Sequence, residues 1–208
     1  MATELKLTAP KTFRYRIFGD FEKLNKLIIV LHGYGQLAEF FIRKFNEIPE
    51  DYLVVAPEGM HRFYLNGTSG RVGASWMTKE DRESDIADNL NWLSQLFTEL
   101  TEQKTFEKTI LLGFSQGGAT AARWFYSKKV LFDQLILWAS VFPPDLEKPQ
   151  INSNSNNYFV IGTADEYFNA EAQISEMEFY QNIGFQTLQF AGSHDIQLTT
   201  LNSILNQD

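Results

Sequence analysis

Residues 109–117 read Thr-Ile-Leu-Leu-Gly-Phe-Ser-Gln-Gly, a short apolar run that ends in the pattern Gly-x-Ser-x-Gly. The apolar run predicts a buried strand. The glycines on either side of the serine, Gly113 and Gly117, permit a turn from strand to helix so sharp that larger side chains would collide with it. Such a turn lifts the Ser115 hydroxyl above the sheet and directs the first N–H groups of the next helix at whatever the serine attacks. The stretch therefore predicts a strand, a tight turn and a helix, with Ser115 as a nucleophile.

The pattern alone has limited specificity, because Gly and Ser are common residues. Ser115 could instead be an ordinary N-cap of a helix. The next five residues, Gly118 to Ala122, favour the nucleophile, because a run of small side chains lets a helix pack closely on a sheet.

Composition limits the classes of protein to which the chain can belong. Its 208 residues can bury a substantial core, and we expect a single domain over residues 1–208. The net charge of −8, with no basic cluster beyond Lys128 and Lys129, argues against nucleic acid as the main partner. The chain has no cysteine, so it has no disulfide, thiolate metal site or cysteine nucleophile.

The sequence carries no sign of a membrane or secretory segment. Its first residues lack the basic and apolar regions of a signal peptide, and no apolar stretch reaches the ~18 residues that span a bilayer. We therefore expect a cytoplasmic protein without integral membrane association. The oligomeric state stays open, with a homodimer as one option.

Strand and helix patterns alternate along the chain. Short apolar or alternating runs predict strands at residues 13–18, 27–31, 52–56, 110–112, 135–139, 158–161 and 185–190. Apolar spacings of three and four predict a helix from Ile86 to Leu100, and further helices are expected at 116–126, 170–183 and 196–205. The alternation predicts an α/β fold in which a mostly parallel central sheet has helices on both faces.

A serine hydroxyl needs a base to remove its proton, and that base is usually a histidine oriented by a carboxylate. Of the three histidines only His194 follows Ser115, as the order serine, acid, histidine requires. His194 comes just after the last predicted strand and should reach the carboxyl edge of the sheet. Asp165, in the turn after the strand at 158–161, is predicted to orient it, with its neighbour Glu166 as the alternative.

The tetrahedral oxyanion of ester cleavage also needs hydrogen-bond donors, each worth on the order of 3 kcal/mol of barrier. The backbone N–H of Gln116, directly after the nucleophile, is predicted to be one. The N–H of Tyr34, in the segment His-Gly-Tyr-Gly at 32–35, is predicted to be the second, although a plain glycine-rich turn would also explain that segment. His32 is predicted to be a hydrogen-bonded structural residue that fixes the segment.

Two connections between the predicted elements bear on function. From Ala139 to Tyr158 there is too little chain for the cap domain that many hydrolases insert there, so we expect none. This connection includes an Asn/Ser-rich segment, 152–157, which we expect to be a solvated loop. The longest connection, from Pro57 to about Lys79, is either a mobile loop over the site or a static surface loop.

Together the motifs resemble the phospholipase/carboxylesterase family of small α/β-hydrolases, which includes acyl-protein thioesterases and bacterial carboxylesterases. The resemblance covers nearly the whole chain from about Lys26 onward. It rests on four matching parts of the sequence: Leu31 to Gly35, Leu112 to Ala119, Asp165, and Gly192 to His194.

The resemblance implies an uncapped α/β-hydrolase that cleaves short to medium acyl esters, lysophospholipids or thioesters through an acyl-enzyme, without cofactor or metal. It implies a triad of Ser115, Asp165 and His194, with an oxyanion hole from Tyr34 and Gln116. The expected partner is a small acyl ester or thioester. A non-catalytic ligand-binding protein on this fold stays open, as does a serine peptidase or acyltransferase with the same triad.

The chain departs from the family around the expected substrate site. The family's Ser-Gly pair before a proline is replaced by Ser-Val-Phe-Pro at 140–143, and its aliphatic residues after the acid by Tyr167 and Phe168. Trp76 resembles the family's tryptophan before the long helix. We expect Trp76, Phe142 and Tyr167 to contact the substrate and to favour a bulky apolar acyl group or an aromatic ester. Core or loop packing would explain such aromatic residues equally well.

Overall fold

The computed structural model describes residues 2–147 and 156–207. In these residues the main sheet contains β1 (Tyr15–Phe18), β2 (Lys26–Leu31), β3 (Tyr52–Pro57), β6 (Lys108–Phe114), β7 (Gln134–Trp138), β8 (Tyr158–Gly162) and β9 (Gln186–Phe190). A separate pair of strands is formed by β4 (His61–Tyr64) and β5 (Val72–Ser75). The α-helices are α1 (Ala38–Phe41), α2 (Arg82–Gln103), α3 (Gln116–Ser127), α4 (Ala170–Asn182) and α5 (Leu198–Leu205), and a 3₁₀ helix follows α1 at Ile42–Phe45.

The main sheet has the strand order β1-β3-β2-β6-β7-β8-β9. The edge strand β1 runs antiparallel to β3, and every other pair is parallel. The register aligns the carboxyl ends of the strands: Leu31 pairs with Gly113, and Gly162 pairs with Phe190. The predicted α/β fold with a mostly parallel sheet is therefore confirmed, and the segments that follow β2, β6, β8 and β9 leave the same edge.

Apolar layers cover both faces of the sheet. Alternate residues of β2 enter different clusters, with Leu27, Ile29 and Leu31 on the face of α2, α3 and α4, and Ile28 and Val30 on the face of α1 and α5. All five side chains are fully buried, and each contributes about 2 kcal/mol relative to exposure. Burial on two faces explains why β2 reads as a continuous apolar run.

The connection from Pro57 to about Lys79, in which the sequence predicted no strand, contains a β-hairpin. Strands β4 and β5 pair antiparallel, with His61 opposite Ser75. The hairpin rests on the segment after β2, because Gly35 N–H donates to Ala74 O at 2.8 Å. A side chain at Gly73 would lie 2.5 Å from the Gly35 carbonyl oxygen, so only glycine permits this approach. Glycine lowers strand propensity, and the strands are short, which hid them in the sequence.

The other predicted elements are present with shifted ends. The strand predicted at 135–139 stops at Trp138 because Ala139 has a φ of 49° and turns out of the sheet. Helix α5 begins at Leu198 and not at residue 196. Neither α1 nor the 3₁₀ helix was predicted. Residues 152–155 of the Asn/Ser-rich segment lie outside the described residues.

The described residues contain no cap domain, as expected. Between β7 and β8 the described chain forms only the turns and irregular backbone of residues 139–147 and 156–157. Within the ranges 2–147 and 156–207, no helix is long and apolar enough to cross a lipid bilayer.

The contact of α3 with the sheet leaves no room for a side chain at Gly117. An added Cβ would lie 2.3 Å from Leu31 O and 2.5 Å from His32 O, both of them backbone atoms. We expect Gly117→Ala to lower the free energy of unfolding by about 3 kcal/mol, measured by urea denaturation. Gly67→Ala is the control. Gly67 has a φ of 62°, and no atom lies within 4 Å of an added Cβ, so backbone strain alone should lower the free energy of unfolding, by about 1 kcal/mol. Equal losses in the two variants would contradict this account of the contact.

Candidate active site

Ser115 occupies the turn between β6 and α3 in a strained backbone conformation, with φ of 53° and ψ of −121°. A non-glycine residue in such a region costs on the order of 1–3 kcal/mol. Two backbone hydrogen bonds hold it there: Ser115 N–H donates to Trp138 O at 2.9 Å, and Ser115 O accepts from Gly118 N–H at 2.9 Å. The turn is also close, because a Cβ at Gly113 would lie 2.5 Å from Gly118 Cα. This is the geometry that the Gly-x-Ser-x-Gly pattern predicts.

The structure joins His194 to Asp165. His194 Nδ1 lies 2.7 Å from Asp165 Oδ2, and the carboxylate side chain is fully buried. The other carboxylate oxygen, Oδ1, accepts from the backbone N–H of Tyr167 at 3.0 Å. Because the ionised carboxylate can only accept, Nδ1 carries the proton and Nε2 presents its lone pair. Glu166, the alternative acid, contacts the backbone of His194 and not its ring, since Oε2 accepts from His194 N–H at 3.2 Å.

The His194 ring contacts two aromatic rings, one of which belongs to the residue before Ser115. Its centroid is 4.8 Å from that of Phe114 and 4.5 Å from that of Tyr167. Phe114 directly precedes Ser115, so histidine and serine share one edge of the sheet. The hydrogen bonds of residues 2–147 and 156–207 do not include one from Ser115 Oγ to the His194 ring. In unliganded enzymes this contact is often long and shortens only when substrate binds.

The segment after β2 lies against Ser115, the predicted nucleophile. A Cβ at Gly33 would be 3.2 Å from Ser115 Cβ, so glycine permits the approach. The neighbouring N–H groups are used within the protein: that of Gly33 donates to Gln36 Oε1 at 2.9 Å, and that of Gly35 to Ala74 O at 2.8 Å. In the described part of the chain, Tyr34 N–H has no acceptor.

Gln116 supplies the second N–H group that has no acceptor among residues 2–147 and 156–207. It is the first residue of α3, and the first N–H groups of a helix have no carbonyl within that helix to which they can donate. The two donors that the sequence predicts for the oxyanion are thus both left without a backbone partner beside Ser115.

His32 is a neutral buried residue. It ties the hairpin to residues 32–35, which we term the oxyanion segment because they are predicted to supply an oxyanion donor. His32 is fully buried, its Nε2 accepts from Gly59 N–H at 2.9 Å, and its Nδ1 lies 2.8 Å from Gly33 O. Since an N–H can only donate, Nε2 is unprotonated and Nδ1 carries the proton. Burial lowers the pKa of His32 to about 4. Its carbonyl also accepts from Trp76 Nε1 at 2.8 Å, so the predicted structural role of His32 is confirmed.

The Gln116 side chain makes a network that the sequence did not indicate. Its Oε1 accepts from Ser75 Oγ at 3.1 Å and from Trp76 N–H at 3.2 Å, and its Nε2 donates to Met77 O at 2.9 Å. The first residue of α3 is thereby fastened to the chain that leaves the hairpin. The sequence signal is a glutamine directly after the nucleophile, but its partners lie about 40 residues away.

The three aromatic residues predicted to contact substrate differ in exposure. Tyr167 is 73 % exposed, whereas Trp76 is fully buried and Phe142 is 6 % exposed. The Trp76 ring packs on His32, with centroids 5.0 Å apart, and the Phe142 ring packs on Tyr126 at 5.9 Å. Trp76 and Phe142 therefore lie in the core, and only Tyr167 presents an open ring.

The chain after β7, where the sequence departs from the family, is anchored by an ion pair. Asp145 accepts from Arg123 Nε at 2.8 Å and from Arg123 Nη2 at 2.6 Å, and it also contacts Arg82. The Arg123 hydrogen bonds hold the pKa of Asp145 at about 2. The bidentate pair with Arg123 joins the chain after β7 to α3, and the contact with Arg82 joins it to α2. Within residues 2–147 and 156–207 no group of His, Cys, Asp and Glu side chains is arranged to hold a metal ion.

Residues 16–206 match the protein family described as phospholipase/carboxylesterase. Among solved structures, a carboxylesterase from Mesorhizobium loti has a TM-score of 0.75 at 16% identity, with 94% of this chain and 95% of that chain covered. Acyl-protein thioesterase 2 from Zea mays has a TM-score of 0.65 at 14% identity, with 92% and 95% covered. At these identities the two structures establish a shared fold.

A curated relative is similar over part of the chain. It is described as a probable 1-acylglycerol-3-phosphate O-acyltransferase from Oryza sativa subsp. japonica, and it is 27% identical over 118 residues. These residues are 57% of this chain and 26% of the relative, so the chain covers about a quarter of that protein.

The neutral state of His32 predicts a pH dependence of stability. Its pKa rises from about 4 in the folded protein to an ordinary value of 6.5 on unfolding, so the unfolded chain binds more protons between these limits. Stability is therefore fully present above pH 6.5 and is lost as the pH falls towards 4. We expect a loss of about 2 kcal/mol from this group between pH 7.5 and pH 5.

Urea denaturation of the wild type and of His32→Asn at several pH values measures this loss. The variant lacks the titrating ring, so its free energy of unfolding should fall less over this interval, by about 2 kcal/mol. Parallel curves for the two proteins would assign the pH dependence to other groups.

Proposed function

This chain belongs to the phospholipase/carboxylesterase family. We propose that it is a carboxylic ester hydrolase that works through an acyl-enzyme on Ser115, within a single domain over residues 1–208. In the proposed triad His194 is the base and Asp165 orients it. The observation that carries the proposal is the 2.7 Å contact of His194 Nδ1 with the buried Asp165 carboxylate, at the sheet edge where Ser115 stands in its strained turn.

The proposed reaction begins with proton transfer from Ser115 Oγ to His194 Nε2. The serine oxygen attacks the ester carbonyl carbon and forms a tetrahedral intermediate. His194 then gives its proton to the departing alcohol, which leaves the acyl group on Ser115. A water molecule, deprotonated by His194, attacks the carbonyl carbon of this acyl-enzyme. As the bond to Ser115 Oγ breaks and the acid leaves, His194 returns the proton to Ser115 Oγ. Asp165 keeps Nδ1 protonated throughout and stabilises the imidazolium.

We propose the N–H groups of Tyr34 and Gln116 as the donors to the oxyanion. Two observations support this: the neighbouring N–H groups of Gly33 and Gly35 are already used, and Gln116 begins α3. A pair of fixed donors would lower the barrier by several kcal/mol, because they are already oriented before charge develops.

The proposed substrates are small acyl esters, with thioesters as a variant of the same reaction. Family membership supports this class. The relative from Oryza sativa is described as a probable acyltransferase, so transfer of the acyl group to an alcohol acceptor is the competing outcome. Release of free acid in the presence of added glycerol would support hydrolysis, and a predominant glyceryl ester would support transfer.

Replacement of the nucleophile tests the mechanism most directly. We expect Ser115→Ala to reduce kcat for p-nitrophenyl butyrate by at least about 10³-fold and to leave the unfolding midpoint close to that of the wild type. A fluorophosphonate probe should label the wild type and not the variant. Undiminished turnover in Ser115→Ala would overturn the assignment of the nucleophile, and a folded wild type that resists labelling would favour a non-catalytic binding protein.

The Gln116 side chain is expected to hold its own backbone N–H in place. Gln116→Met keeps the length of the side chain but loses the hydrogen bonds to Trp76 N–H and Met77 O. We expect kcat to fall by about tenfold with little change in KM, because the displaced donor acts mainly in the transition state. A rise in KM at constant kcat would instead indicate a role in substrate binding.

A further inference from the structure

The residues that touch His194 define the path of the leaving group. In the proposed reaction His194 Nε2 must reach the leaving oxygen to protonate it, so groups packed on this ring border the departing alcohol. Two rings pack on it. Phe114 is 2 % exposed and belongs to the core, whereas Tyr167 is 73 % exposed. Tyr167 is therefore the ring that an alcohol leaving from this side can contact.

The backbone of Tyr167 is anchored although its ring is open. Its N–H donates to Asp165 Oδ1 at 3.0 Å, and the next residue, Phe168, donates its N–H to Asp165 O at 3.3 Å and packs against the core. Asn169 then caps α4 by accepting from Ala172 N–H at 2.8 Å. An aromatic face held in this way loses little conformational entropy when a ligand stacks on it.

The residue before Tyr167 carries a negative charge. Glu166 is exposed, and its Oε2 accepts from His194 N–H at 3.2 Å. Hydrogen bonds from its own N–H and from that of His194 lower the pKa of Glu166, so the carboxylate stays ionised. Lys44 does not offset this charge, because its Nζ lies 2.5 Å from Oδ1 of Asp195, the residue after His194. Among residues 2–147 and 156–207, Glu166 forms no ion pair with a lysine or arginine, so an anionic leaving group would meet its negative charge.

We propose that Tyr167 and Glu166 form a leaving-group subsite that selects esters of aromatic alcohols, uncharged or cationic, over esters of aliphatic or anionic alcohols. The subsite acts on the alcohol, so the acyl group is chosen elsewhere. The inference rests on the proposed function, since it takes His194 as the acid that protonates the leaving group. Tyr167 supplies an aromatic face, and Glu166 supplies the charge that discriminates between leaving groups of opposite sign.

The aromatic preference is tested with benzyl acetate and cyclohexylmethyl acetate. These esters share one acyl group, and their primary alcohols have similar size and basicity, so leaving ability is nearly equal. We expect the wild type to favour the benzyl ester by about fivefold in kcat/KM, a ratio that Tyr167→Phe keeps and Tyr167→Leu loses. Tyr64→Leu is the control, because Tyr64 is also exposed but lies on β4, and it should leave the ratio unchanged.

The charge preference is tested with Glu166→Gln. The amide oxygen can still accept from His194 N–H, so the variant removes the charge and keeps the hydrogen bond. We expect the wild type to favour the acetate of 4-(trimethylammonio)benzyl alcohol over that of 4-carboxybenzyl alcohol, and Glu166→Gln to reduce this ratio about three- to tenfold. Added salt should reduce the wild-type ratio in the same direction.

The outcomes separate the subsite from the proposed function. Hydrolysis that depends on Ser115 but shows the same benzyl ratio in wild type and Tyr167→Leu overturns the aromatic subsite and leaves the function standing. An unchanged charge ratio in Glu166→Gln overturns the role of the carboxylate. Hydrolysis that survives Ser115→Ala overturns the proposed mechanism itself.

Discussion

The close approach of α3 to the sheet is the contact on which the rest of the site depends. Gly113 and Gly117 bring the helix so near to β2 and β6 that any side chain there would overlap backbone atoms. This contact forces Ser115 to a positive φ, and the resulting strain is held by the packing of a strand buried on both faces. The same approach brings the segment after β2 against the serine, so the proposed nucleophile and the proposed oxyanion donors are positioned by one packing constraint.

A buried polar network carries that constraint to the hairpin. His32 accepts from Gly59 N–H, Trp76 donates to His32 O, and the Gln116 amide binds the chain from Ser75 to Met77. Each of these groups would be costly if it were buried without a partner, because desolvation is then uncompensated. The satisfied network therefore orders the hairpin, the oxyanion segment and the start of α3 relative to one another, and the lowered pKa of His32 follows from its burial.

The residues that distinguish this chain from its family divide between core and surface. Phe142 enters the packing between α3 and α4, where its ring lies 5.9 Å from Tyr126 and 5.6 Å from Phe179. In the turn after β8 the Tyr167 N–H donates to Asp165, and the next side chain, Phe168, packs partly buried against the core, while the Tyr167 ring stays exposed. A substitution in the core can alter the wall behind a substrate, whereas an exposed ring can touch the substrate itself.

The sequence by itself determined the order of the main-sheet strands and of the four longest helices, the serine turn and the order of the candidate triad. These features are local or depend on chain order, since a continuous apolar run in β2 or a glycine beside Ser115 constrains the backbone wherever the segment lies. Only the tertiary structure decided that Asp165 and not Glu166 meets the His194 ring, that Trp76 is buried, and that Gln116 binds the hairpin exit. Each of these outcomes joins residues tens of positions apart, and the direction of a loop side chain is set by the neighbours that surround it after folding.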